Sequence, residues 1–275
     1  MRTQTTPTGR ADTAPDRPGA ILVIVSALVA VVGGFLGSGA VIGTPIAEAA
    51  GGALSATATL VAPAGPAFSI WSVIYLGLLA YAVWQALPAQ QRSTRQRILR
   101  RPIAATMLLN AAWILVVQWG QVFLSVVVIV ALLASLAVVF SFLVRYPIER
   151  TSSAATAVDT VVTDGTFGLY LGWVTIATVA NVSAWLASIG WTAGATLWGV
   201  VVLVVAALVG LFLARVSNGR IAQALSLSWG LAWVAQGRLA GENLDTAVGW
   251  TAALAAAVVL TGTVVVRSRR STTSH

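Results

Sequence analysis

Cysteine is absent from the 275-residue chain. Disulfides, thiolate metal sites and cysteine nucleophiles are thereby excluded. Lysine is absent too, since all sixteen basic residues are arginine, and Schiff-base chemistry goes with it. The single histidine is His275, which leaves no buried imidazole to act as base or ligand. Charge is scarce, at 9% of residues, while hydrophobic residues make up 58%. A soluble domain of this length has no use for so much apolar surface. The chain therefore reads as an all-α polytopic integral membrane helix bundle.

Eight apolar runs carry that reading, at about 20–36, 67–87, 103–119, 122–144, 160–187, 193–214, 221–240 and 247–266. Each is near the roughly 17–25 residues that cross a bilayer core as a helix. Residues 1–19 read as a disordered tail rich in Thr, Pro, Arg and Asp, and 267–275 as a basic tail. The arginines fall in alternate connections. Arg2, Arg10 and Arg17 precede the first run, and Arg92, Arg95, Arg97, Arg100 and Arg101 follow the second. Arg145 and Arg150, then Arg215 and Arg220, then Arg267, Arg269 and Arg270 follow the fourth, sixth and eighth. Only Arg238, offset by Glu242 and Asp245, falls on the other side, so fifteen of sixteen share one side. The positive-inside bias makes that side cytoplasmic and gives eight transmembrane helices with both termini in. The expected location is a bacterial plasma membrane. The net charge of +8 is accordingly a topology signal and not a groove for phosphates.

Two features near the first run need placing. Ala47-Glu48-Ala49 has the form of a signal-peptide cleavage site, but the run before it is long and the gap from Leu36 is wide, so the run counts as a span. Gly33 and Gly37 form a small-xxx-small pair suited to close helix packing. The longest connection, about 38–66, ends in Pro63-Ala-Gly-Pro66, where a turn starts the second span. It is either a partial lid over a cavity mouth or an exposed linker.

The fifth run contains Tyr170-Leu-Gly-Trp-Val-Thr-Ile-Ala-Thr-Val-Ala-Asn-Val-Ser-Ala-Trp185. At about 100° per residue, Tyr170, Trp173, Ala177, Asn181 and Trp185 lie within about 120° on one helix face. Lipid has no partner for an asparagine, so this stripe should face other helices or an internal cavity. The pattern Trp173-Val-Thr-x-Ala177-Thr178-x-x-Asn181-x-x-x-Trp185 resembles the fifth transmembrane helix of the tryptophan-rich sensory proteins, the TspO or peripheral-benzodiazepine-receptor family. Phe68-x-x-Trp71-x-x-x-Tyr75 with Tyr81 and Trp84, Leu109-Asn110-x-x-Trp113, and the tight connection Trp119-Gly120-Gln121 are similar to elements of the same family in the same order. The resemblance covers roughly 20–190.

It implies a five-helix bundle over 20–190, followed by a three-helix membrane extension over 191–266. It also implies a pocket for a flat hydrophobic ligand, tetrapyrrole or sterol-like, lined by Trp71, Tyr75, Asn110, Trp113, Tyr170, Trp173, Ala177, Asn181 and Trp185. There are departures. The Phe68-to-Trp71 spacing is one residue short, the first connection lacks the family's tryptophans, and the family's standard member ends after five spans. Val144-Arg-Tyr146-Pro-Ile-Glu-Arg150 fits a loose cholesterol-recognition formula but reads as an interfacial anchor.

Plain structural roles stand beside these readings. Trp84, Trp119, Trp191, Trp198 and Trp250 fall near span ends, where indoles suit the headgroup boundary. Trp71, Trp113, Trp173, Trp185, Trp229 and Trp233 are divided between core packing and ligand wall. Asn110 and Asn181 lean toward interhelical hydrogen bonds, worth about 0.6–2 kcal/mol. Asp164 is expected to pair with an arginine of 145–150 rather than to relay protons. Gln223, Ser226, Trp229 and Trp233 form a further mixed face. Gly33 to Gly39 is no phosphate loop, because neither a strand nor Lys-Ser/Thr flanks it.

No catalytic residue, metal ligand or cofactor is expected, and the protein is read as a non-enzyme. The expected partners are the lipid bilayer and a hydrophobic small molecule, with no nucleic acid and with a homodimer left open. The first functional reading is a binding and sensory protein. The alternative is a carrier of a small hydrophobic solute, for which intramembrane charges, broken helices or an internal repeat would speak.

The cysteine-free background makes sidedness directly measurable. Gln91→Cys and Thr151→Cys should resist a membrane-impermeant maleimide in intact cells, whereas Gln121→Cys and Thr192→Cys should react. The reverse labelling pattern would overturn the orientation.

Overall fold

The computed structural model describes residues 14–37, 44–46, 48–148 and 152–272. The first thirteen residues of the tail, most of the early part of the long connection, Ala47 of the cleavage-like motif, and Arg150 lie outside the described residues.

Every apolar run is helical. The long helices among the described residues are α1 (Arg17–Gly37), α2 (Ile70–Ala86), α3 (Thr94–Gln118), α4 (Val122–Arg145), α5 (Ser153–Ser188), α6 (Ala195–Val216), α7 (Ala222–Leu239) and α8 (Thr246–Thr272), and a short helix, Pro88–Gln91, follows α2. A 3₁₀ segment, Gly65–Ser69, leads into α2 with Pro66 in its first turn, where the missing N–H costs nothing. Ser93 and Ser152 cap α3 and α5 by accepting from the Gln96 and Ala155 backbone N–H groups. Gly120 takes φ of 71° in the tight turn between α3 and α4, a conformation that favours glycine.

Three boundaries differ from the sequence expectation. α3 begins at Thr94, ahead of its apolar run, and carries Pro102 within the helix. Arg95, Arg97, Arg100 and Arg101 are therefore helical rather than in a loop. α5 begins at Ser153 and passes through a π turn at Thr160–Gly165. α8 continues to Thr272, so Arg267 and Arg269 lie on a helix and not in a tail.

Seven of the eight helices are both long and apolar enough to cross a membrane. α7, the expected span 221–240, is the exception. It carries Gln223, Ser226, Ser228, Gln236 and Arg238, and its neighbours shield much of this polarity.

The first five helices close into a ring. α1 packs between α2 and α3, α3 on α4, α4 on α5, and α5 returns to α2. α1 meets α3 through Gly33 and Gly37, where an added Cβ would lie 3.6 Å from Ala111 and 2.2 Å from Ile114 respectively. α7 docks on the outer side of α5, α8 on α7, and α6 on α8. At the α5–α7 seam the approach is to backbone, since a Cβ on Gly172 would sit 2.2 Å from the Gln223 carbonyl oxygen. Only glycine permits that approach.

A charge cluster ties the arginine-rich end of the ring together. Arg95, 4% exposed, pairs with Asp159 at 2.6 Å and with Asp164, and Asp164 also pairs with Arg220 at 2.7 Å. Asp159 accepts further hydrogen bonds from Trp84 Nε1, Gln96 Nε2 and Thr163 Oγ1. Arg95 Nε donates to the Tyr146 carbonyl, and Arg220 to that of Leu143. Among the described residues, Asp164 thus takes its cations from α3 and from the turn before α7; of the two arginines expected from 145–150, Arg145 is not one of them and Arg150 lies outside the described residues. A π turn that brings Asp159 and Asp164 to one site explains the choice, because both carboxylates then share Arg95.

A second buried guanidinium works alongside. Arg100, fully buried, binds Gln85 Oε1 at 2.8 Å, the Gln85 and Gln90 carbonyls at 3.0 Å, and Asp16 at 3.0 Å. Asp16 lies ahead of α1. Burial raises the pKa of its carboxyl, but hydrogen bonds from Gly19 and Arg100 outweigh that and hold it below the usual range.

Removing one member of a buried charge set strands the others. Arg95→Leu should cost about 3–5 kcal/mol, seen as a clear fall in apparent melting temperature in detergent. An unchanged melting temperature would contradict the role given to the cluster.

Candidate functional site

At the end of the ring away from the charge cluster, the aromatic face of α2 turns inward. Trp71 and Tyr75, one helical turn apart, stack with centroids 5.3 Å apart and planes at 24°. Trp71 also meets Tyr170 and Trp173 edge-on, at 5.8 Å and 6.3 Å, and Phe68 meets Trp173 edge-on at 5.5 Å. Edge-to-face pairs of this kind fix ring orientation. Tyr75 reaches toward α1 because residue 34 is glycine, where a Cβ would lie 2.3 Å from the tyrosine hydroxyl.

These rings wall a cavity of about 580 Å³ between α1, α2, α3 and the 44–66 connection, a size typical of small-molecule sites. Phe68, Trp71, Tyr75 and Trp113 form one side, Phe35 adds a further ring, and Val31 and Ile114 are aliphatic. A smaller chamber of about 40 Å³ adjoins it, lined by Trp113, Trp173, Ala177 and Asn181 under the connection. The two share Ile46, Leu54, Phe68 and Trp113. Among the described residues, no charged side chain lines either space.

The polar atoms around the cavity are few and mostly matched. Asn181 is saturated across helices: its Oδ1 accepts from Trp113 Nε1 at 2.8 Å and its Nδ2 donates to Ser125 Oγ at 2.9 Å. Asn110 donates to the Tyr75 hydroxyl at 3.0 Å, but its Oδ1 is buried without a hydrogen-bond partner. Trp173, 1% exposed, likewise has an indole N–H with no partner. One unmatched acceptor thus lies buried behind the aromatic wall, and one unmatched donor belongs to Trp173 in it. Such a site can hold and orient a neutral, flat molecule.

The nine sequence candidates divide accordingly. Trp71, Tyr75 and Trp113 line the larger cavity, and Trp113, Trp173, Ala177 and Asn181 the chamber. Asn110 and Tyr170 are fully buried behind that wall, with Tyr170 donating to the Thr106 carbonyl at 3.4 Å. Trp185 lines neither space and packs on Phe123 of α4 at 5.2 Å. The reason is helical phase: each four-residue step from Ala177 turns the face by about 40°, which carries it from the ring interior to the α4 seam.

The 44–66 connection acts as a strap over these spaces, and α7 holds it there. Arg238, 2% exposed, donates to the carbonyls of Thr59 at 3.2 Å and Ala56 at 2.9 Å. Asn243 donates to the Thr57 carbonyl, Trp229 Nε1 to that of Ala67, and the Ala64 N–H to the Trp233 carbonyl. Residue order places Arg238 in a connection beside Glu242 and Asp245, whereas it lies in the last turn of α7. In fact Asp245 caps α8 through the Val248 N–H and accepts from Thr196. That threonine bond, helped by the cap, holds its carboxyl below the usual range. The one signal for Arg238 was its isolation on the arginine-poor side.

A family model described as TSPO-like protein matches residues 20–266. The match runs through all eight helices, the last three included. Comparison with curated proteins and with solved structures returned no match.

Proposed function

Since the chain belongs to the TSPO-like protein family, we propose that this integral membrane protein is a binding and sensory protein whose five-helix ring holds a flat hydrophobic ligand. The carrying observation is the uncharged aromatic cavity of about 580 Å³ between Trp71, Tyr75 and Trp113. Indole and phenol faces favour a planar apolar body, and a few placed polar groups orient it. A tetrapyrrole or sterol-like compound fits that description, with the class taken from the resemblance. The unmatched Asn110 Oδ1 and Trp173 N–H supply one acceptor and one donor near the wall.

In this reading the arginine-rich end faces the cytoplasm and the strap the opposite side, in a bacterial plasma membrane. The protein binds without transforming its ligand. The carrier reading has weaker support, because the charge cluster ties α2, α3, α4 and α5 together at the arginine-rich end.

Titration with protoporphyrin and with a sterol, followed by tryptophan fluorescence in nanodiscs, tests the reading. Saturable quenching is expected at micromolar ligand. Trp71→Ala and Trp113→Ala should each weaken binding about three- to tenfold, the range of one aromatic contact. Quenching that never saturates, or that is the same in both variants, would contradict the site. Ligand flux across proteoliposomes would favour the carrier.

A further inference from the structure

The arginines at the start of α3 are of two kinds. Arg95 and Arg100 are buried and matched by carboxylates and carbonyls. Arg97 and Arg101, one helical turn apart, are exposed. With Ile98 they form one wall of a cleft of about 660 Å³, and the segment 14–19 with Leu22 forms the other. That second wall is fixed in place. The Asp16 N–H donates to the Gln91 carbonyl at 3.2 Å, Arg97 donates to the Ala14 carbonyl, and Arg100 holds the Asp16 carboxylate at 3.0 Å. Gly19 permits the close fold, since a Cβ there would lie 2.3 Å from Asp16 Oδ2 and 3.0 Å from Arg100 Cδ.

Two observations define what would enter. The first is charge. Asp16 is the one acid lining the cleft among the described residues, and Arg100 behind it offsets its charge. The cleft therefore presents the two positive charges of Arg97 and Arg101. Arg97 spends one nitrogen on the Ala14 carbonyl and keeps further N–H donors. Arg101 has no ion pair or hydrogen bond among the described residues. Two guanidinium groups on one face suit a phosphate, which accepts their paired donors. The second observation is what continues from the cleft into the membrane. Arg97, Arg101, Leu108 and Leu115 fall within about 40° on one face of α3, and both leucines are exposed. On α1, which packs against α3, Leu22, Val25, Val29 and Val32 share an exposed face that starts in the cleft. A cationic cleft at the end of an apolar track is the chemistry of a headgroup with a chain attached.

We propose that the cleft between the start of α3 and the segment ahead of α1 binds the headgroup phosphate of an anionic phospholipid. The phosphate meets Arg97 and Arg101, and an acyl chain follows the track that begins at Leu22. Free phosphate shares the headgroup chemistry but makes no use of that track. The arginines of this end thus do more than set topology: Arg95 and Arg100 hold the fold, while Arg97 and Arg101 recruit a lipid. The site shares no lining residue with the ring cavity, and the inference does not depend on what the ring binds.

The test is native mass spectrometry of the full-length protein, stripped of lipid in detergent and titrated with phosphatidylglycerol. A saturable adduct is expected, with phosphatidylcholine bound far more weakly. Arg97→Gln and Arg101→Gln should each weaken it about fivefold, the worth of one arginine at a membrane surface, and the two together at least tenfold. Arg145→Gln combined with Arg215→Gln removes as much charge from exposed positions at the same end and should leave the adduct intact. Inorganic phosphate at the concentration of the lipid should not displace it, and Leu22→Asn should weaken it about threefold. Should the double variant at 97 and 101 melt early, Arg101→Gln alone decides. Equal retention of phosphatidylcholine, equal loss in the Arg145 and Arg215 pair, or an adduct unchanged by Arg101→Gln would overturn the proposal. Displacement by inorganic phosphate, with no effect of Leu22→Asn, would overturn it in favour of a free anion. Porphyrin quenching in the Arg101→Gln sample separates failure of this site from failure of the ring.

Discussion

A hydrocarbon core offers no hydrogen bonds, so a polar group within these helices is costly unless it finds a partner in protein. At the arginine-rich end the demand is met by the set of Arg95, Asp159, Asp164 and Arg220, which draws side chains and carbonyls from α2, α3, α4 and α5 to one place. In mid-ring it is met by Trp113, Asn181 and Ser125, one chain of hydrogen bonds across α3, α5 and α4. On α7 it is met by the strap, which receives Arg238 and Trp229. The ring, its floor and its roof are three answers to one requirement.

This arrangement gives the last three helices a structural purpose. Without α7 the strap carbonyls of Ala56, Thr59 and Ala67 would lose their side-chain donors. The extension therefore defines the roof of the aromatic cavity while its own apolar helices α6 and α8 bury the far side of α7. Ring and extension meet at α5 and at the strap, so a change on one side reaches the other through few residues.

Much of this was legible in residue order. Apolar runs of bilayer length located all eight helices, and the aromatic spacings in α2, α3 and α5 marked the walls that face each other. Phase explains the exception at Trp185: a stripe of four-residue steps rotates, so its last ring leaves the interior that its first rings share. Charge explains the shifted start of α3. Arginines look like loop when apolarity is the only guide, yet Arg95 and Arg100 are helical, with buried carboxylates and carbonyls as partners. α7 reads as an ordinary span because its mean character is apolar, while its role rests on Arg238 and Trp229. The α5–α7 seam at Gly172 could not be read at all, since a glycine in an apolar run does not announce which helix it admits.

The central claim is that the ring interior is a ligand site. A structure of the protein determined in nanodiscs saturated with protoporphyrin tests it most directly. The account predicts planar density against Trp71, Tyr75 and Trp113 beneath an intact strap. Density found only at the lipid-facing surface, with the ring interior closed by repacked side chains, would contradict it.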